Sequence, residues 1–279
     1  MFPFQTALNA STLAPFQLGV KEQIEVAAAA GYEGIELWVK DIDAYLESGG
    51  TLSELRAFVR DTGITVANAI AFWTWADEDA GRRAEGLEQA KREMAMLAEI
   101  DCLAAAAPPY GQVEAVSLDD MAGEYARLIQ EGRKLGVEPY LEFWGRSKRL
   151  SRLSEAVYVA QESRMEGAKL LVDPYHMYTG GSTLEGLGML SGTAIGIVHA
   201  NDYPTSPARE AIQDSDRVFP GEGIARSQLL AQTLYAIGYR GYLSLELFIP
   251  NYGPLTALDV AKRGLASLHT TYSISSLST

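Results

Sequence analysis

Two periodicities alternate along this chain. Short runs of consecutive apolar residues, of the kind a strand buried on both faces needs, are separated by longer stretches whose apolar positions recur every three or four residues. The runs predict strands over residues 4–9, 34–38, 64–71, 102–106, 137–143, 170–173, 195–200 and 242–247. The stretches between and after them predict helices over 20–30, 51–61, 83–99, 118–135, 153–165, 184–190, 229–237 and 255–268. Gly31, Gly63, Gly136 and Gly238 follow four of these helices, where a left-handed residue commonly ends a helix. Thr51 or Ser53 stands where a cap would start the second helix. Residues 270–279 are rich in Ser and Thr and are expected to fray.

Eight strand–helix alternations with no dividing linker imply a parallel sheet in one domain spanning residues 1–279. That number of units in a chain of 279 residues fits an α/β fold of the (β/α)8 TIM-barrel class. An open doubly wound sheet would carry a Gly-rich phosphate loop after its first strand. The segment Asn9-Ala10-Ser11-Thr12-Leu13-Ala14 has no glycine.

The last four strands each end in a group able to bind a metal: Glu142, Asp173, His199 and Glu246. The clearest case is Leu170-Leu171-Val172, which stops at Asp173 because Pro174 cannot continue a central strand. In a barrel, strand C-termini converge on the active face. Neighbouring strands lie about 4.8 Å apart, so four adjacent ends can close on one ion. Three carboxylates and an imidazole make a hard site that suits Mn²⁺, Mg²⁺ or Co²⁺ and admits Zn²⁺. Each group also has a plainer reading. Glu142 could pair with Arg146, Glu246 with Arg240, and Arg217 with Asp214 or Asp216. Of the three histidines, His176 and His199 fall at strand ends, and His269 on the last helix reads as structural. The aromatics Trp38, Phe72, Trp73, Trp75, Trp144 and Phe248 suit either a wall for a sugar's C–H face or plain packing. Gly180-Gly181 reads as a turn.

Composition narrows the partners. A net charge of −13 with no basic cluster argues against nucleic acid, and no apolar run reaches membrane-spanning length. The lone Cys102 excludes an internal disulfide and a thiolate metal cluster, and fits a reducing, cytoplasmic setting. The N-terminus lacks the basic and apolar regions of a signal peptide and reads as mature sequence.

In order along the chain, Glu142, Asp173 with His176, His199 with Asp202, the run Asp216-Arg217-Val218-Phe219-Pro220-Gly221-Glu222-Gly223, and Glu246 followed by Phe248 resemble the xylose-isomerase-like TIM barrels. Within them, Asn68 ahead of Phe72, Glu142-Phe143-Trp144-Gly145 and Val198-His199-Ala200-Asn201-Asp202 are most similar to the 2-keto-myo-inositol isomerase type. The resemblance implies one divalent metal held by Glu142, Asp173, His199 and Glu246. Glu142 and Glu246 would transfer protons through a metal-stabilised enediolate, isomerising or epimerising a keto-sugar or keto-inositol. It further implies that His176 and Arg217 contact substrate oxygens. Asn68, Trp38, Trp144 and Asp202 complete the expected polyol-binding set, and a homodimer or homotetramer is expected. Dehydration on the same scaffold is the near rival. An apurinic endonuclease would need more histidines for its zinc cluster, and a non-catalytic binding relative would not need the full ligand set.

Overall fold

The computed structural model describes residues 1–274. Its eight strands close into one parallel barrel in chain order. They are β1 (Gln5–Asn9), β2 (Gly34–Trp38), β3 (Thr65–Ile70), β4 (Ala104–Ala107), β5 (Glu138–Glu142), β6 (Lys169–Val172), β7 (Ile195–Ala200) and β8 (Tyr242–Leu245). The ring closes where β8 pairs with β1, Gln5 opposite Tyr242 and Leu8 opposite Leu245. Around it run α1 (Val20–Ala30), α2 (Val39–Glu47), α3 (Leu52–Thr62), α4 (Ala80–Glu99), α5 (Leu118–Leu135), α6 (Leu153–Glu162), α7 (Pro174–Gly180), α8 (Leu184–Leu187), α9 (Ser227–Ala236) and α10 (Ala257–Thr271).

Local chemistry sets the helix ends. Thr51 and Glu54 form a reciprocal capping box on α3, and Gly63 ends it at φ +72°. On α5, the buried stripe Met121, Tyr125, Leu128 and Ile129 faces the barrel. The Tyr125 hydroxyl reaches the carbonyl oxygens of Pro139 and Lys169, at 2.9 and 3.1 Å, and so ties helix to strands. Inside the barrel Ile70, Ala106, Leu171 and Ile197 form a small second core, with the rings of Tyr140 and Tyr242 against it. Gly196 admits the Tyr140 ring: a Cβ there would stand 2.6 Å from it. The interior is thus filled with apolar side chains and rings, and the polar strand ends are left to the C-terminal mouth.

Three expectations change. Neither α2 nor α7 is visible as an apolar stripe, because each is short and buries only two or three side chains. Helix α7 exists because Asp173 accepts the Tyr175 amide as its cap and Pro174 takes the first helical position. Gly180 is therefore the last residue of a helix and Gly181 its left-handed cap, rather than a turn within a loop. Finally, α10 runs on to Thr271, Tyr272 is fully buried, and Met1 and Ile274 exchange two backbone hydrogen bonds. Residues 270–274 are thus docked rather than frayed; the rest of that expected tail, 275–279, lies outside the described residues. No helix among the described residues is long and apolar enough to cross a membrane.

Candidate metal centre

The barrel brings Asp173, His199 and Glu246 together: one ligand atom from each lies within 4.8 Å of the others. All three side chains are buried, with exposures of 1%, 1% and 5%. His199 sits within β7, and Asp173 and Glu246 lie one residue beyond β6 and β8. Neither acid pairs as the plainer reading would have it. Glu246 bonds Arg217 rather than Arg240, and Arg146 spends its guanidinium on backbone carbonyls of the 209–212 loop. Glu142, the last residue of β5, does not join the trio at that spacing. It lines the same cavity, with its Oε1 3.8 Å from His176 Nε2.

Support beneath the trio comes from Glu36, in the middle of β2 and fully buried. Its carboxylate accepts from Asn68 Nδ2 at 2.7 Å and Asn9 Nδ2 at 3.3 Å, and His199 Nε2 stands 3.2 Å away. With Nε2 directed at Glu36, Nδ1 is the nitrogen turned toward the other acids, and a cation bound there would take the place of its proton. Nδ1 makes no well-directed hydrogen bond, although Glu246 Oε2 is 3.0 Å off and Asp173 Oδ2 3.7 Å. An imidazole whose far nitrogen is bound to a carboxylate, and whose near nitrogen faces two more acids, is the arrangement a divalent cation requires. The donor set therefore fits such an ion, with Asp173, His199 and Glu246 as its holders.

Charge at this point is balanced among protein groups. Arg217, 1% exposed, places Nη1 2.8 Å from Asp173 Oδ2 and 2.7 Å from Glu246 Oε2, and Nη2 2.6 Å from Asp214. Its guanidinium lies over the rings of Tyr175 and Phe248, at 4.3 and 5.0 Å. Burial opposes charge on Asp173, yet Arg217, His176 and His199 outweigh it and hold that carboxyl well below its usual range. Burial likewise opposes charge on His199, and Glu246 and Glu36 outweigh it and raise the ring well above the usual histidine range. Glu142 has no such partner. Burial, reinforced by Glu246 and Asp173, lifts its carboxyl to about 8. Burial lowers His176 to about 4, so that ring is neutral near pH 7.

The other expected substrate contacts divide. Trp38 and Trp144 line the cavity with His176 and Arg217. Trp38 is fixed by its indole N–H, which donates to Asn9 Oδ1 at 3.0 Å. Asn68 does not reach the cavity; it is fully buried and spends its amide on Glu36. Asp202 is also placed elsewhere. It accepts from the amides of Tyr203, Gly221 and Ala225, and its backbone pairs with Val218, so it folds the loop that carries Arg217. Sequence reasoning missed Glu36 and Asn9. The available signal was a carboxylate between Ile35 and Leu37 in an otherwise apolar run, where burial demands a partner. His269 lies on α10, packed on Phe2 at 4.3 Å.

The fold and site define a class: a (β/α)8 barrel with two carboxylates and an imidazole gathered at its C-terminal mouth. More particularly, the chain belongs to the xylose isomerase-like TIM barrel family, whose profile matches residues 24–270. It is 27% identical over 251 residues to an inosose isomerase of Bacillus velezensis, covering 87% of this chain and 88% of that one. It is also 27% identical over 258 residues to a 3-dehydroshikimate dehydratase of Pseudomonas aeruginosa, covering 88% of this chain but 39% of that protein. Among solved structures, the IolI protein with a bound zinc atom superposes with TM-score 0.89 at 22% identity, covering 96% of this chain and 98% of that one. A D-psicose 3-epimerase superposes with TM-score 0.74 at 20% identity, covering 96% and 99%.

Proposed function

We propose that this protein is a divalent-metal-dependent isomerase or epimerase of a keto-sugar or keto-inositol. The observation that carries the reading is the pairing of a buried Asp173–His199–Glu246 cluster with a second, protonatable acid, Glu142, on the same cavity. Relatives named as inosose isomerases, matched over most of their length, support it.

A divalent ion, when bound, supplies Lewis acidity that lowers the pKa of a C–H between a carbonyl and a hydroxyl carbon. The remaining work falls to the protein's own groups. Glu142, whose carboxyl titrates near neutrality, exchanges a proton with substrate carbon from one side of the cavity. Glu246 faces it from the metal side. Return of the proton to the neighbouring carbon is isomerisation; return to the opposite face of the same carbon is epimerisation. Arg217 donates to developing negative charge, and neutral His176 bonds a substrate hydroxyl. Trp38 and Trp144 cover the apolar face of the ring.

A second reading, loss of a β-hydroxyl after the same proton abstraction, is favoured by the likeness to 3-dehydroshikimate dehydratases. One experiment separates them. The protein, loaded in turn with Mn²⁺, Mg²⁺, Co²⁺ or Zn²⁺, is incubated in D₂O with inososes, ketoses and 3-dehydroshikimate. Deuterium entering at the carbon beside the carbonyl without loss of water supports the isomerase or epimerase. A new conjugated absorbance supports the dehydratase. Neither change across the panel contradicts both.

A further inference from the structure

We infer that the cavity holds a second subsite, and that the natural substrate carries a second ring beyond the one turned over at the metal centre. The inference rests on the functional reading above for the inner subsite. The cavity measures about 1200 Å³, whereas about 300–1,000 Å³ is ordinary for a whole drug-sized ligand. One six-carbon polyol seated against His199 and Glu246 would leave most of that space to water. The space runs outward to the loops after β3, β4 and β5, where Thr74, Gln112 and Lys148 line it.

A continuous row of aromatic rings spans this distance. Ring centroids are 5.4 Å apart for Trp38 and Phe72, 6.1 Å for Phe72 and Trp144, and 5.5 Å for Phe72 and Tyr110. Tyr110 and Trp144 meet edge to face, 6.5 Å apart at 83°. The inner pair, Trp38 and Phe72, also covers the small core inside the barrel, so its burial stabilises the fold. The outer pair has no such duty. Neither Tyr110 nor Trp144 packs against a buried apolar cluster among the described residues, and Tyr110 is 43% exposed.

The rim that carries Tyr110 is built rather than loose. Asp77, 1% exposed, accepts from the amides of Asp79 and Gln112, each at 2.9 Å, and from Arg82 Nε at 3.1 Å. The Trp75 indole donates to the Pro108 carbonyl at 2.8 Å. Gly111, at φ +101°, passes so close that a Cβ would stand 2.6 Å from Asp77 Oδ2. The loops after β3 and β4 are thereby locked to each other. A preformed corner of two aromatic rings, open to the cavity and free of the core, matches a ring with an apolar face. A hexopyranose and an aryl group both have one.

The test is binding of methyl β-D-glucoside, phenyl β-D-glucoside and cellobiose to the metal-loaded protein by calorimetry. At least one two-ring probe is expected to bind tenfold or more tightly than the methyl glucoside; which one does so separates an aryl from a sugar second ring. Tyr110→Ala is expected to remove that gain and leave the methyl glucoside unchanged. Equal affinity for all three probes, no measurable binding of either two-ring probe, or a gain that survives Tyr110→Ala overturns the inference. Binding needs no turnover, so the two readings fail separately. A gain here without deuterium exchange sinks only the reaction, and exchange with one-ring ketones without a gain sinks only the second subsite.

Discussion

Glu142 is the residue on which stability and function pull in opposite directions. Its buried carboxyl titrates at about 8, against 4.5 for a free glutamate. The folded protein therefore holds a proton that the unfolded chain releases between those two values. Its contribution to stability is full below pH 4.5 and is lost as pH rises through 8. At about 1.4 kcal/mol per pKa unit, the loss is on the order of 3–5 kcal/mol. Glu142→Gln removes that titration. In excess chelator, urea unfolding is expected to show the variant more stable than the parent at pH 8.5 and little different at pH 5, while deuterium exchange into substrate disappears. Equal stability at both pH values would contradict the account of its burial. Glu36 acts through another residue. Glu36→Gln leaves shape and volume nearly intact but takes away the charge that orients His199. Chelator competition is expected to show metal affinity down roughly 10–100-fold, with the circular dichroism spectrum unchanged. Unaltered affinity would reduce Glu36 to packing. The same pair shows how far a sequence can be read at this scale. Glu142 was legible because it ends a strand run. Glu36 was not, because its three partners come from β1, β3 and β7, and no local pattern announces contacts that distant.

At the scale of elements, strands and long helices followed from periodicity, and several bounds match residue for residue: α1, β2, α5 and β7. Helices α2 and α7 did not follow, because two or three buried side chains make no stripe, whereas α8 falls within the expected 184–190. Helix α7 nonetheless carried a signal, Asp173 followed by Pro174, which reads equally as the end of a strand and the start of a helix. Both readings hold, and the overlap is what sets His176 one turn beyond the Asp173 carboxylate. The loop between β7 and α9 is the other decisive element. A short 3-10 turn, Asp214–Asp216, precedes Arg217 there, and Asp202 anchors the loop by gathering three amides. Asp202→Ala should therefore cost roughly 2–4 kcal/mol, since a buried charged acceptor is lost and its donors are left unpaired. Hydrogen exchange is expected to quicken at Gly221 and Ala225, and turnover to fall more than metal affinity. Unchanged exchange at those amides would show that the loop is held by other contacts.

For the whole molecule, eight alternations and the lack of a phosphate loop were enough to anticipate a closed barrel, and closure explains the rest of the site. Because β8 returns to β1, residues as far apart as Asn9 and Glu246 come within 3.1 Å. The convergence of strand ends was legible from sequence. The depth and reach of the cavity were not, since loop paths such as the Asp77 lock depend on contacts between segments 35 residues apart. The net charge of −13 adds a consequence of its own. An acidic molecule with acids gathered at one mouth draws divalent cations toward that mouth, and added salt weakens the attraction.

The central claim is that Asp173, His199 and Glu246 jointly hold one divalent ion. It is tested most directly by metal content after equilibration with Mn²⁺ or Zn²⁺ and gel filtration. The native chain should carry one ion per molecule, and His199→Ala and Glu246→Gln should each carry none while keeping the native circular dichroism spectrum. A native protein that takes up no ion, or variants that retain the full complement, would contradict it.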